Sequence, residues 1–158
     1  MKTAKILIIV LNLFVGYFMF TGGLDKFKGE NPQPNKIIEQ IKAGEEIAPN
    51  NEILVLKNFV FGMKQTGYFW QFLGFMELLA GALLISQVFS RIGAIMALPL
   101  TINIALFHFF LERDEVGELF LTIALVTANL ILIGATRKIW KPLIYDTDIL
   151  KLKAVTEK

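Results

Sequence analysis

The sequence predicts an all-α membrane protein: an up-down-up-down bundle of four transmembrane helices, with a long, partly helical outer loop between the first and the second. Three observations carry this. Hydrophobic residues make up 54% of the 158 and charged residues only 19%, and the charges and helix breakers gather between four long apolar runs. Each run is near the roughly 20 residues that a helix needs to cross hydrocarbon, at about residues 5–24, 68–88, 92–111 and 119–135. The runs also lack the period-two alternation of a membrane barrel. One domain over 1–158 follows, with an outer loop at 25–67 and a tail at 137–158.

The first run follows Met1-Lys2-Thr3-Ala4-Lys5. A basic start before an apolar stretch also describes a secretory signal, but this stretch is longer than a signal core and Thr21-Gly22-Gly23 is a weak cleavage site, so an uncleaved span is expected. The loop after it is too rich in Ile, Leu, Val and Phe to be structureless. Lys36 to Lys42 places three isoleucines on one helical face, and Ile53 to Phe61 follows Pro49-Asn50-Asn51-Glu52, where an asparagine cap fits. Two short helices are expected, lying on the outer surface or capping the bundle mouth, either as a lid over a ligand or as a packed cap. The second and third runs are joined only by Phe89-Ser90-Arg91, and the third and fourth by about seven residues, so each pair should be antiparallel neighbours.

Orientation rests on bases at helix ends. Lys2, Lys5, Arg91, Arg137, Lys138 and Lys141 would share one side, which favours both termini in the cytoplasm of a bacterial inner-membrane protein. The six lysines of the loop keep the margin modest. Trp140 and Tyr145 on one side, with Tyr68 and Trp70 on the other, fit interfacial aromatic belts. The net charge of +2 gives no reason to expect a nucleic-acid partner.

With no cysteine and one histidine, the chain by itself can carry no disulfide relay, iron-sulfur cluster or bis-histidine haem. No covalent cofactor and no metal site are expected, and any redox role requires a diffusible carrier or a partner subunit.

The candidate site is built from polar residues inside the apolar runs. Glu77 is the only acid at such depth, and a Glu at the centre of a span costs about 3 kcal/mol on insertion. Gly74, Glu77 and Gly81 share one stripe, and small residues mark faces where helices approach closely, so Glu77 is expected to point into the bundle. Counted from the outer ends at about 1.5 Å per residue, Glu77 lies roughly 13 Å deep, Asn103 roughly 12 Å, Asn129 roughly 15 Å and Asn12 roughly 18 Å. All four helices thus offer a polar group to one layer. Either the asparagines hold a protonated Glu77 and fix helix register, or the cluster lines a pocket in which Glu77 handles a proton or a polar head group. His108, near the outer end of the third span with Glu112 four residues on, is placed to relay protons to that pocket or simply to be fixed by Glu112. Lys26 sits at the outer end of the first span. Its axial distance from Glu77, roughly 13 Å or more on the same count, argues for snorkelling to lipid phosphate rather than for an ion pair.

Three stretches bring a family into view: Phe20-Thr21-Gly22-Gly23-Leu24-Asp25-Lys26-Phe27, then Gly74-Phe75-Met76-Glu77-Leu78-Leu79-Ala80-Gly81, then Pro99 with Asn103 and Phe107-His108. In these the chain resembles the DoxX and DoxX-like family of small four-helix membrane proteins, across all four spans but not convincingly across the loop. The resemblance implies a bacterial membrane protein whose relatives include subunits of a thiosulfate:quinone oxidoreductase. The function expected first is therefore a subunit or accessory protein of a quinone-linked oxidoreductase, with the quinone head near Glu77, Asn103 and His108. The alternatives are a non-redox binding or transport protein for a small amphipathic molecule or lipid, and a membrane assembly factor. A lipid isomerase using Glu77 and His108 is disfavoured, because the two differ in depth by about 8 Å.

Overall fold

The computed structural model describes residues 2–28, 39–40, 42–45, 51–113 and 115–137, the side chains of 2 and 51–53 excepted. It is an all-α membrane protein with no strand among the described residues. Five helices appear in the order α1 (Lys2–Asp25), α2 (Asn51–Gln65), α3 (Phe69–Ile85), α4 (Ser90–Leu111) and α5 (Val116–Ala135). Three of them, α1, α4 and α5, are long and apolar enough to cross a membrane. The 17 residues of α3 reach only about 26 Å at the helical rise, the short end of what spans hydrocarbon. It follows α2 across a bend of 88°.

That bend has a local cause. Gly67 adopts φ +76°, the left-handed conformation in which glycine ends a helix without a Cβ penalty. Its amide donates to Lys64 O at 3.2 Å. Thr66 Oγ1 then accepts the Phe69 amide at 3.0 Å, satisfying one of the free donors at the start of α3. The sequence-based boundary at Tyr68 is therefore close. The second loop helix runs further than the expected 53–61, to Gln65, because nothing before Gly67 breaks it. The expected first loop helix, over 36–42, lies mostly outside the described residues, as do the asparagine cap of α2 and most of the 137–158 tail.

The four long helices close a ring: α1 packs on α3 and α5, and α4 fills the gap between α3 and α5, while α2 leans on the ends of α3 and α4. The α1–α3 seam is the tightest. A Cβ added at Gly81 would lie 2.6 Å from Phe20 N and 2.8 Å from Gly16 O, and one at Gly23 would lie 2.7 Å from Leu78 N and 2.8 Å from Gly74 O. Gly16 thus opposes Gly81 and Gly23 opposes Gly74, so the glycine stripe of α3 expected to face protein meets a matching glycine pair on the antiparallel α1. The core beneath is thin and made of small or flexible side chains: Val15, Met19, Ala80, Leu84, Ala94, Ala97, Leu125, Ala128 and Leu132. The outward surface is apolar, with Ile6, Val10, Phe72, Phe75, Val88 and Phe120 all more than half exposed. A soluble protein would not tolerate such a surface; a bilayer requires it.

A candidate ligand cavity beside a buried ion pair

Glu77 faces the bundle as its stripe predicts and is 1% exposed. Its partner corrects the expectation from sequence. Lys26 Nζ lies 2.6 Å from Glu77 Oε2, a buried ion pair where snorkelling was expected. The physical reason is an axial offset. Gly74, not Phe69, is level with the end of α1, since a Cβ at 74 would touch Lys26 Cβ at 2.9 Å and Gly23 O at 3.1 Å. The first five residues of α3 therefore project past α1 by about 7 Å, and Lys26 stands only one turn from Glu77. Gly22 completes the arrangement: its carbonyl is 3.5 Å from Lys26 Nζ, and a Cβ there would lie in ordinary contact with Glu77 Oε2 at 3.5 Å.

The second carboxylate oxygen, Oε1, is buried and has no hydrogen-bond partner among the described residues. Burying such an acceptor unpaired costs several-fold more than the net value of an ordinary hydrogen bond. The one-layer arrangement of asparagines, which would have supplied partners, does not form. Asn12 Nδ2 donates instead to Gln87 Oε1 at 3.1 Å, at the far end of α3, ten residues or about 15 Å from Glu77. Asn129, fully buried, donates to Thr101 Oγ1 at 3.4 Å and stitches α5 to α4. Asn103 is exposed on the cavity side of α4.

Glu77 and Lys26 form part of the wall of a cavity of about 280 Å³. Asn103 and His108 of α4 line it as well, so four of the seven sequence candidates meet around one space. The wall is mainly apolar rather than the polar pocket expected, with Phe18 and Met19 from α1, Phe107 from α4, and Leu121 and Leu125 from α5. His108 Nδ1 approaches Glu112 Oε2 to 2.7 Å, as the four-residue spacing allows, but the angle falls outside hydrogen-bond geometry. His108 lines the cavity, as does Glu118 of α5.

Two contributors escaped the sequence reading. Trp70, read as a belt residue, lines the cavity, and the ammonium groups of Lys26 and Lys64 lie 5.3 and 5.0 Å from its ring centroid. These are cation–π distances. The available signal was its place on the stripe Trp70-Gly74-Glu77-Gly81. The other is α2, which supplies Phe59, Val60 and Met63 and sets Phe59 against Phe107 with ring centroids 5.9 Å apart. Nothing in the sequence fixes where a loop helix docks. No group of three or more His, Cys, Asp or Glu side chains able to hold a metal occurs among the described residues.

No match was found among curated proteins or among solved structures. A family model, DoxX, matches residues 7–109, about two thirds of the chain. The matched region takes in most of α1, all of α2 and α3 and nearly all of α4, and with them Lys26, Glu77, Asn103 and His108, but stops before α5. This membrane-spanning chain, with its buried Lys26–Glu77 pair inside the matched region, thus belongs to the DoxX family.

Proposed function

We propose that this protein is a subunit or accessory protein of a quinone-linked oxidoreductase, and that the cavity beside Lys26 and Glu77 holds the quinone head. The observation that carries the reading is the buried ion pair set into a mainly apolar, aromatic wall. An amphipathic ligand needs that division, with surface for a ring and tail and a few fixed polar groups for the head. Phe18, Phe59, Phe107 and Trp70 supply flat apolar surface. Lys26 and Asn103 supply donors for carbonyl oxygens, and His108, on the cavity wall, is a group through which protons would enter or leave. The chain has no cysteine, so electrons would come from a partner subunit, and this protein would position the carrier and handle its protons.

The same reading places four spans in the membrane, with α2 and α3 as a surface helix and a short span, and both termini in the cytoplasm. An even number of crossings puts the termini on one side, so reporter fusions at the two ends give the same signal. Opposite signals would overturn the four-span arrangement. The function itself is tested by extracting the protein in mild detergent and identifying what stays bound by mass spectrometry. A stoichiometric isoprenoid quinone in the wild type, lost in Glu77→Leu, is the expected result. Phospholipid alone would overturn the quinone reading in favour of a lipid or amphiphile carrier.

A further inference from the structure

The hydrogen-bond inventory around Glu77 is unbalanced in one direction. Oε2 is engaged by Lys26 at 2.6 Å, while the buried Oε1 lacks a donor among the described residues. The nearest ammonium is already shared between Glu77 and the Gly22 carbonyl at 3.5 Å, and lysine has only three N–H bonds to give. The pair is close to neutral as a unit, so this part of the wall holds neither a lone cation nor a lone anion, but a buried acceptor that no described donor answers.

We infer that the cavity selects a ligand head that donates a hydrogen bond to Glu77 Oε1, so that of a quinone couple it takes the hydroquinone in preference to the quinone. This rests on the quinone reading and states which member of the couple the site prefers. A hydroquinone hydroxyl both donates and accepts. It can answer Oε1 and still accept from Lys26 or Asn103. A quinone carbonyl only accepts, and leaves Oε1 as it was. The difference is one charge-assisted hydrogen bond in a water-poor site, which corresponds to a preference of about ten-fold or more.

Trp70 on the cavity wall is the reporter. In a Trp140→Phe background it is the single tryptophan of the chain. A decyl-substituted benzoquinone, its hydroquinone and the dimethyl ether of that hydroquinone are titrated in micelles under anaerobic conditions, and the affinity is read from the position of each saturation curve. The hydroquinone should bind at least about ten-fold tighter than the other two. Glu77→Gln should abolish or reverse that order, because its amide oxygen stays with Lys26 and its NH2 turns a donor toward the ligand. Equal affinity of all three probes, or tighter binding of the quinone by the wild type, would overturn the selectivity while the quinone pocket stands. No saturable binding of any probe would overturn both.

Discussion

Removing the two partners of the ion pair one at a time should have unequal consequences. Lys26→Met leaves the Glu77 carboxyl, 1% exposed, with neither oxygen answered. Breaking a buried pair from one side in this way costs about 3–5 kcal/mol, and protonation of the stranded acid puts the expected value at the lower limit, about 3 kcal/mol. Glu77→Leu leaves Lys26, 15% exposed, at the end of α1, where its long stem can carry the ammonium outward. The expected cost is about 1 kcal/mol. The double variant leaves no stranded charge and should lie within about 1 kcal/mol of the wild type, since a buried pair and an apolar replacement of similar volume are often nearly equal in stability. The implied coupling is about 3–5 kcal/mol. Unfolding in mixed micelles with increasing denaturing detergent, followed by tryptophan fluorescence, measures all four corners of the cycle. Equal single effects that simply add in the double variant would refute the pair and return Lys26 to the membrane surface.

Two further tests concern the frame that holds the site. Gly81→Ala should destabilise by about 1–3 kcal/mol, the usual range for overpacking, because its Cβ meets main-chain atoms of α1 at 2.6–2.9 Å that cannot rotate away. Gly134→Ala, whose Cβ would meet no atom of another described element within 4 Å, should be neutral or stabilising by up to about 1 kcal/mol from helix propensity, and a matching loss at both sites in the same unfolding assay would contradict the glycine seam. Gln87 holds φ +59° while its side chain accepts from Asn12 at 3.1 Å. Gln87→Gly exchanges that bond, about 0.6 kcal/mol on average between membrane helices, for relief of the left-handed strain, about 1 kcal/mol, and should be near neutral. Gln87→Ala keeps the strain and loses the bond, so a melting temperature for Ala at or above that of Gly would overturn the account of this turn.

The helices were legible because hydrocarbon is an undiscriminating solvent. It demands about 20 apolar residues and internally satisfied backbone groups, and α1, α4 and α5 lie within a few residues of their expected bounds. The glycine stripes were legible for a related reason: a residue without a side chain on an apolar helix has little use other than close approach. The polar layer failed because axial depth cannot be counted from the ends of helices that do not start level. The five-residue overhang of α3 carries Glu77 down to Lys26 and moves Asn12 to Gln87. The information needed to correct this was present. Once Gly23 is set against Gly74, Lys26 lies beside that contact and its long stem can turn back toward Glu77, one turn along α3, and Trp70 follows on the same stripe. Matching the two small-residue stripes first, and placing charges only afterwards, would have found the ion pair. The docking of α2 would have remained hidden, since its contacts depend on aromatic surfaces such as Phe59 and Phe107 that are also at home in lipid. An apolar side chain in a membrane protein carries no signature of whether it meets protein or lipid, whereas a buried charge must have an answer inside the fold. For that reason the Lys26–Glu77 pair, and not the larger apolar wall around it, is the feature from which a function can be argued.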